Sequence, residues 1–285
     1  MHCAPICVAV ATVGLLTGVA RTDAYAQTMR SFGTARQLHG ETRLVARVDF
    51  GAGSLRLAPA DDRTLYRMRV SYDEGRYAPV GRYADSHVTL GLASAGGKVL
   101  RVSTGQPVRQ TADVQLSRRV ELALDVTLGA VEGAIELGGM RLREVRLESG
   151  ASRTTVRFSS PNRAPCERAD FSAGAAELSI YGLGNSRCST IRYAGGVGTV
   201  TLDFGGEWAA DARAEVRMAL GQLHLRLPKG VGVRLRMDRF LASFDPAGLV
   251  RRGDAYLSPG YAQATHHLDL DLSTTIGGVT IAWLP

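Results

Sequence analysis

The chain has 285 residues, of which 45% are hydrophobic and 21% are charged. This balance is typical of one or two globular domains and excludes an intrinsically disordered chain. The formal net charge is +7, and almost all of the positive charge is arginine, since Lys98 and Lys229 are the only lysines. The arginines are spread among acidic residues instead of forming a basic cluster, so the sequence does not predict a nucleic-acid-binding protein.

Residues 1–26 have the features of a secretory signal peptide. The apolar run from Val8 to Val19 is too short to span a bilayer comfortably, and Ala24-Tyr25-Ala26 has the small-x-small pattern of a cleavage site. We expect cleavage after Ala26 and a periplasmic or extracellular mature chain. No later stretch is long and apolar enough to cross a membrane, so we predict no transmembrane segment in the mature chain.

Residues 27–115 are predicted to form an N-terminal β region. Val48 and Phe50 precede Gly53 by five and three residues, which indicates an early coil of a repeated unit. Alternation over Tyr66–Tyr72 predicts a strand. Further expectations are a polar lead-in over Gln27–Leu44, a loop or edge strand over Arg76–Tyr83, short strands over Val88–Leu92 and Val99–Val102, and a long bend or boundary over Thr104–Ser117.

Residues 116–285 contain a sequence motif that recurs every 21 to 25 residues. Each copy has two apolar residues flanking a polar one, a glycine three residues later, and then a second apolar pair. The anchoring glycines are Gly129, Gly150, Gly174, Gly196 and Gly221. A repeat of this length is typical of solenoids, in which each unit buries its apolar face against the next. We predict an all-β, solenoid-like stack of short strands, similar to a single-stranded β-helix, with little helix and continuous with the N-terminal region.

The polar residue within the first apolar pair predicts a charge ladder along the stack. Its members are Asp125, Arg146, Asp170, Arg192 and Arg217. Stacking would place them in one outward column, where opposite charges on neighbouring strands contribute about 0.2–1 kcal/mol each. Two interpretations stay open: a solvated ladder that sets the register, and a functional Arg/Asp site.

Two cysteines follow the predicted leader, Cys166 and Cys188. Each stands eight residues before its glycine, Gly174 or Gly196, so both occupy the same slot of consecutive coils. Stacking would bring their Cα atoms to about 5 Å, within the range of a disulfide. An exported chain meets an oxidising compartment, so we predict a disulfide. A reactive thiol and a metal site are the alternatives, and zinc is disfavoured because no histidine lies near.

The C-terminal part is predicted to contain further strands. Asp238–Val250 is the only plausible helical patch, and Arg251–Thr265 is predicted as loop. Alternation over His266–Leu272 predicts a strand, and Ile276–Trp283 matches the pattern of Leu220–Leu227.

Candidate chemistry is sparse. Adjacent His266 and His267 would face opposite ways on a strand, so they are poor partners for one metal ion. Asp269 and Asp271 share a strand face and could act in acid/base catalysis or bind Ca²⁺, although a solvated face explains them too. A polysaccharide-active site would use Glu136 with Arg157, beside Arg146, but its slot then runs to Ser179 and Thr201.

Several segments resemble bacterial toast-rack proteins. Val48–Leu57 with Leu65–Asp73 is similar to their N-terminal part, and Leu227–Val233, Arg252–Tyr256 and Ile276–Ile281 to their C-terminal part. LiaF-like and adhesin-type β-repeat domains share these features. The resemblance implies a stacked β fold, and some members of the group are implicated in envelope stress sensing. The chain lacks the transmembrane helices of LiaF-like proteins.

From these observations we predict a non-enzymatic, exported β-repeat protein that acts as an envelope or surface interaction module. The first alternative is a binder of anionic envelope glycan or lipid head groups through outward arginine columns. A weaker alternative is a polysaccharide-active β-helix enzyme. We expect no cofactor and no metal, and the expected partners are an envelope protein or an anionic glycan.

Overall fold

The computed structural model describes residues 28–95 and 110–285. Within them, sixteen strands form one sheet, and helix is confined to two short 3₁₀ segments, η1 (Leu183–Ser186) and η2 (Tyr261–Gln263). The prediction of an all-β stack with little helix is confirmed. The predicted signal peptide and the predicted strand Val99–Val102 lie outside the described residues.

The strands differ widely in length, from three residues to eighteen, because the long ones run through a bend that the short ones do not reach. Their bounds are β1 Met29–Gln37, β2 Arg43–Pro59, β3 Thr64–Asp73, β4 Tyr77–Ala84, β5 His87–Ser94, β6 Thr111–Leu116, β7 Glu121–Glu136, β8 Leu142–Ser149, β9 Arg153–Arg157, β10 Cys166–Tyr181, β11 Cys188–Asp203, β12 Ala212–Pro228, β13 Gly232–Phe244, β14 Val250–Arg252, β15 Ala255–Leu257 and β16 His267–Leu284.

The centre of the molecule is a parallel stack. β2 pairs with β7, which pairs with both β8 and β9, and these two short strands together occupy the place of one long strand. The stack continues through β10, β11, β12, β16 and β13, all parallel. From β7 to β12, equivalent residues of consecutive coils are separated by 21 to 24 residues, as in Asp125 and Arg146 or Arg146 and Asp170.

Each long strand buries alternate side chains on both sides of a bend. In β7, Leu124 and Val126 lie before the bend and Ile135 after it, and all three belong to the same buried core. Gly129 forms the bend, where a Cβ atom would stand 2.1 Å from the carbonyl oxygen of Gly51 on β2. Only glycine lets the two corners approach this closely. The alternation of apolar residues therefore determines the facing, and the glycine determines the bend.

The two ends of the stack are built differently. At the N-terminal end β6 pairs parallel with β2, and β3 and β1 follow antiparallel, while β4 and β5 form an antiparallel hairpin against β2. At the C-terminal end β16 lies between β12 and β13, so chain order and stacking order differ there. β15 then pairs with β13 over Arg234–Arg236 only, and β14 pairs with β15.

Four local predictions are wrong because tertiary pairing overrode weak local patterns. The helical patch predicted at Asp238–Val250 is mostly β13, which is held by twelve residue pairs to β16. The lead-in Gln27–Leu44 contains β1, because β3 supplies an antiparallel partner. The loop predicted over Arg251–Thr265 contains part of β14 and all of β15, and the bend Thr104–Ser117 contains β6.

The predicted register is wrong by two residues in three places. Gly221 stacks on Gly198 instead of Gly196, and the early coil bends at Gly51 instead of Gly53. Val156 pairs with Ile180, so the residue beside Arg157 on the next coil is Tyr181 instead of the predicted Ser179. A two-residue slip keeps the same side chains facing the core, so apolar alternation cannot distinguish these registers.

The described residues include no helix long and apolar enough to cross a bilayer.

Candidate interaction face

The predicted disulfide is present between Cys166 and Cys188, which are paired residues at the starts of β10 and β11. Their Cα atoms are 4.1 Å apart, and both residues are only 3% exposed. The bridge therefore crosslinks two consecutive coils inside the core. The alternatives of a reactive thiol and a metal ligand do not apply to these two cysteines.

The first half of each coil presents a row of charged residues to solvent, which we call the charge column. Asp125 pairs with Arg146, Arg146 with Asp170, and Asp170 with Arg192. The next residue of the column is Glu215, because Arg192 pairs with Glu215 on β12. Predicting Arg217 at this position was wrong.

The correction improves the alternation of charge. Arg217 stands two residues further along β12, opposite Ala194, and its guanidinium contacts the carboxylate of Glu215 on the same strand. Glu215 also lies 3.7 Å from Arg192, measured from Nε to Oε2. Glu215 therefore neutralises two arginines, where the predicted register would have placed two positive charges on adjacent coils.

The column extends beyond the predicted residues at both ends. Arg47 on β2 pairs with Asp125, and Glu215 pairs with Asp271 on β16, which pairs in turn with Arg236 on β13. From β2 to β13 the column reads Arg47, Asp125, Arg146, Asp170, Arg192, Glu215, Asp271 and Arg236. The signs alternate except at Glu215 and Asp271.

Asp271, the negatively charged neighbour of Glu215, forms hydrogen bonds with two arginines. Arg236 donates from Nε to Asp271 Oδ1 at 2.6 Å, and Arg213 donates from Nη2 to Asp271 Oδ2 at 2.7 Å. These hydrogen bonds, that of Arg236 first, lower the pKa of Asp271 below its usual 3.8. Asp271 is thus held ionised, which is the opposite of what a general acid needs.

Asp269 has a similar partner. Arg234 donates from Nη2 to Asp269 Oδ2 at 2.7 Å. Asp269 and Asp271 are consequently parts of arginine-paired rows, and the three alternatives left open for them reduce to an ion-pair ladder. Among the described residues no three His, Cys, Asp or Glu side chains are grouped so that they could hold a metal ion.

Asp170 is the least satisfied member of the column. Its Oδ1 is buried and has no hydrogen-bond partner, while its Oδ2 lies 3.9 Å from Arg168. A buried carboxylate oxygen without a donor is unfavourable by about 1–3 kcal/mol.

Two adjoining depressions lie along this face. One, of about 250 Å³, is lined by Arg146, Asp170, Arg192 and other residues of β8 to β12. The second, of about 460 Å³, continues toward β13 and shares Glu215 and Arg217 with the first. The charge column thus borders an elongated, shallow groove.

The enzyme-type candidates lie on the second half of the coils. Glu136 and Arg157 are paired, as predicted. The next residue of this row is Tyr181, which corrects the prediction of Ser179. Glu136 Oε1 accepts hydrogen bonds from the backbone of Gly138 and from Ser159, so it stabilises a turn.

Arg157 also has a structural contact, because it packs against Tyr181. Its guanidinium lies 5.2 Å from the ring centre of Tyr181, and that of Arg226 lies 5.9 Å from the same ring. Arg226 also pairs with Asp203 at 2.9 Å. Arg146 is on the other half of the coil, so these side chains do not converge in one catalytic groove.

The histidines occupy structural positions. His224 contacts Thr280 on the neighbouring strand, with 2.7 Å between Nδ1 and Oγ1. His267 Nε2 lies 3.0 Å from the backbone oxygen of Tyr261.

Sequence reasoning missed Arg47, Glu215, Asp271 and Arg236 as column members. Apolar alternation is equally compatible with Glu215 and Arg217. The place of β16 between β12 and β13 has no local signal from which Asp271 and Arg236 could have been found.

Fold and face together define a parallel, bent-strand β-solenoid with a charged outer face. The chain matches a family model, the N-terminal domain of toast_rack (DUF2154), over residues 23–181, and it belongs to this family. None of the curated proteins compared with the chain matches it.

Two solved structures are similar to this chain. A "putative cell adhesion protein" from Clostridium sporogenes is 14% identical, with a TM-score of 0.51, over 90% of this chain and 100% of that chain. A "putative adhesin" from Parabacteroides distasonis is 9% identical, with a TM-score of 0.39, over 90% of this chain and 98% of that one. At these identities the first similarity shows a common fold and nothing further.

Proposed function

We propose that the chain is a non-enzymatic, exported surface protein whose charged face docks a protein partner. The observation that carries this proposal is the charge column, in which positive and negative residues alternate without a break across six strands, from Arg47 on β2 to Glu215 on β12, beside an elongated groove. An alternating pattern is complementary to a partner with its own mixed charges and gives specificity more than raw affinity.

The same alternation disfavours the binding of a polyanion. Each arginine of the column is next to a carboxylate in register, so the face offers no continuous positive strip for an anionic glycan or lipid head groups. The carboxylate of Asp170, which lines the groove, would attract a hydrogen-bond donor, such as a backbone amide or a basic side chain, and would repel an anion.

Two further observations support a role without catalysis. The pKa values of Asp271 and Glu177 are both lowered, in each case mainly by a hydrogen bond from an arginine. A general acid at neutral pH needs a raised pKa. The similar structure from Clostridium sporogenes, described as a "putative cell adhesion protein", supports a surface role through its fold.

The test is affinity capture from envelope extracts with the full chain and two matched variants. Arg146→Glu combined with Arg192→Glu reverses the column, while Arg153→Glu changes an exposed arginine on the second half of the coils. We expect one stoichiometric protein partner, lost at least about tenfold with the column variant and retained with Arg153→Glu. Capture of glycan alone, equal loss with both variants, or cleavage of envelope polysaccharide by the chain would contradict the proposal.

A further inference from the structure

The bends of the coils form an exposed row that becomes more hydrophobic toward the C-terminal end. We call it the corner row; its members, in stacking order, are Ala130, Ala151, Ala175, Val197, Leu220, Ile276 and Leu241. The last four are paired in register on β11, β12, β16 and β13. Leu241 is 64% exposed, and its neighbour Phe240 is 76% exposed. Large apolar side chains this exposed at one site indicate an interaction surface.

The same place carries unpaired backbone. Among the described residues β13 pairs with β16 on one side, and on its other side only Arg234–Arg236 pair with β15. The segment from Met237 to Phe244 therefore has a free strand edge, and Phe240 and Leu241 lie in its middle. A free, apolar edge is a template for pairing with another strand.

We propose that this edge pairs antiparallel with the same edge of a second copy of the chain, forming a two-fold dimer centred on Phe240. In this arrangement Met237–Ser243 of one copy would lie beside Ser243–Met237 of the other. Two stacks would then join end to end into one continuous sheet. The segment adjoins the charge column, since Met237 and Asp238 also line the second depression, but Phe240 and Leu241 do not line it. The dimer proposal does not rest on the proposed function.

The shape of the edge favours a second copy over a foreign strand. The free segment is bounded on one side by β15 and on the other by the end of β13 at Phe244. With pairing centred on Phe240, β15 of each copy falls where β13 of the other copy ends. The edge formed by β15 and the free segment of β13 is therefore complementary to the same edge of a second copy, as an isologous interface requires.

The backbone argues against a lipid surface as the occupant. Free N–H and C=O groups of an edge strand are unfavourable in hydrocarbon, and lipid offers them no hydrogen-bond partners. A second β13 would pair these groups and cover Phe240 and Leu241 at the same time. It would also continue the corner row across the two-fold axis.

Sedimentation velocity on the full chain tests the proposal, with Phe240→Glu as the disrupting variant and Val197→Glu as the matched control. Both side chains are more than half exposed, so both variants should fold. Val197 is on β11, in the middle of the stack and away from the free edge of β13. We expect wild type and Val197→Glu to sediment as dimers at about 100 µM, and Phe240→Glu as a monomer. A monomeric wild type, or a dimer that survives Phe240→Glu, would overturn the proposal.

Crosslinking gives a second, geometric readout. Opposed residues at the centre of an antiparallel pair have Cα atoms about 4.5–5.5 Å apart, within disulfide range. Phe240→Cys should therefore form a covalent dimer on oxidation, and Val197→Cys should not. A monomer that instead floats with phosphatidylglycerol vesicles and loses flotation on Phe240→Glu would show that the edge faces lipid, and would reject the dimer.

Discussion

The two ends of the stack solve the problem of the open sheet edge in different ways. At the N-terminal end the outermost strand, β1, is largely polar, and its aromatic residue Phe32 packs against the core. At the C-terminal end β13 presents Phe240 and Leu241 to solvent. Polar, well-covered edges resist association, whereas apolar edges invite it.

This difference shows that the exposed residues of β13 are not a requirement of the fold. The fold can finish an edge without exposed aromatic residues, because β1 does so. Selection for binding is therefore the simpler explanation for the exposed apolar residues of β13 at the C-terminal end. The following predictions test whether the two ends differ as described.

The largest effect is expected from filling a corner in the C-terminal half. A Cβ atom on Gly277 would stand 1.8 Å from the carbonyl oxygen of Gly221, and its φ is +133°. Overpacking and backbone strain together should lower the free energy of unfolding by roughly 4 kcal/mol in Gly277→Ala. Gly33→Ala in β1 is the control, since its Cβ would meet Met68 at an ordinary 3.9 Å. Equal urea midpoints for the two variants would be inconsistent with the tight corner.

Removing the disulfide should affect both ends together, because it lies in the middle of the stack. Cys166→Ala with Cys188→Ala opens a loop of 22 residues, which should lower stability by about 3 kcal/mol. Urea unfolding should shift to a lower midpoint as a single transition. Two separated transitions would show that the ends unfold independently.

The edge aromatics should differ in their contribution to stability. Phe32→Ala removes a partly buried ring and should cost about 1.5 kcal/mol. Phe240→Ala removes an exposed ring and should change stability by less than about 0.5 kcal/mol at low protein concentration. Chemical denaturation of both variants measures the difference. If Phe240→Ala costs as much as Phe32→Ala, its ring has a structural role.

The smallest effect concerns the ion pairs near the C-terminal end. The folded-state pKa of Asp271 is below its usual value, so its ionised form adds stability at neutral pH that is lost as pH falls through the folded pKa. Asp271→Asn should cost about 1 kcal/mol at pH 7, and the difference from wild type should shrink under acid conditions. Thermal unfolding from pH 7 downward measures it. A difference that grows toward low pH has the wrong sign for this pair.

The sequence predicted the fold class, the coil spacing from Gly129 to Gly196 and the disulfide because each depends on a strong local signal. Alternation and recurring glycines specify bent strands, and two cysteines in equivalent slots specify a crosslink. The match of Ile276–Trp283 to Leu220–Leu227 is also confirmed, since these segments pair directly.

The register around the fifth coil could not be predicted from alternation. A slip of two residues leaves the same faces buried, so Glu215 and Arg217 were equally compatible with the apolar pattern. Only the stacking of Gly221 on Gly198 distinguishes them. The placement of β16 between β12 and β13 is a tertiary choice, and with it the positions of Asp271 and Arg236 in the column.

The register of the charge column is best tested by paired cysteine substitutions at positions 192, 215 and 217. Arg192 and Glu215 are direct neighbours on parallel strands, like the native Cys166 and Cys188, while Arg217 is two residues further along β12. Arg192→Cys with Glu215→Cys should form a disulfide on mild oxidation, detected by the mass of a proteolytic fragment. Efficient crosslinking of Arg192→Cys with Arg217→Cys, and none with Glu215→Cys, would contradict the stacking described here.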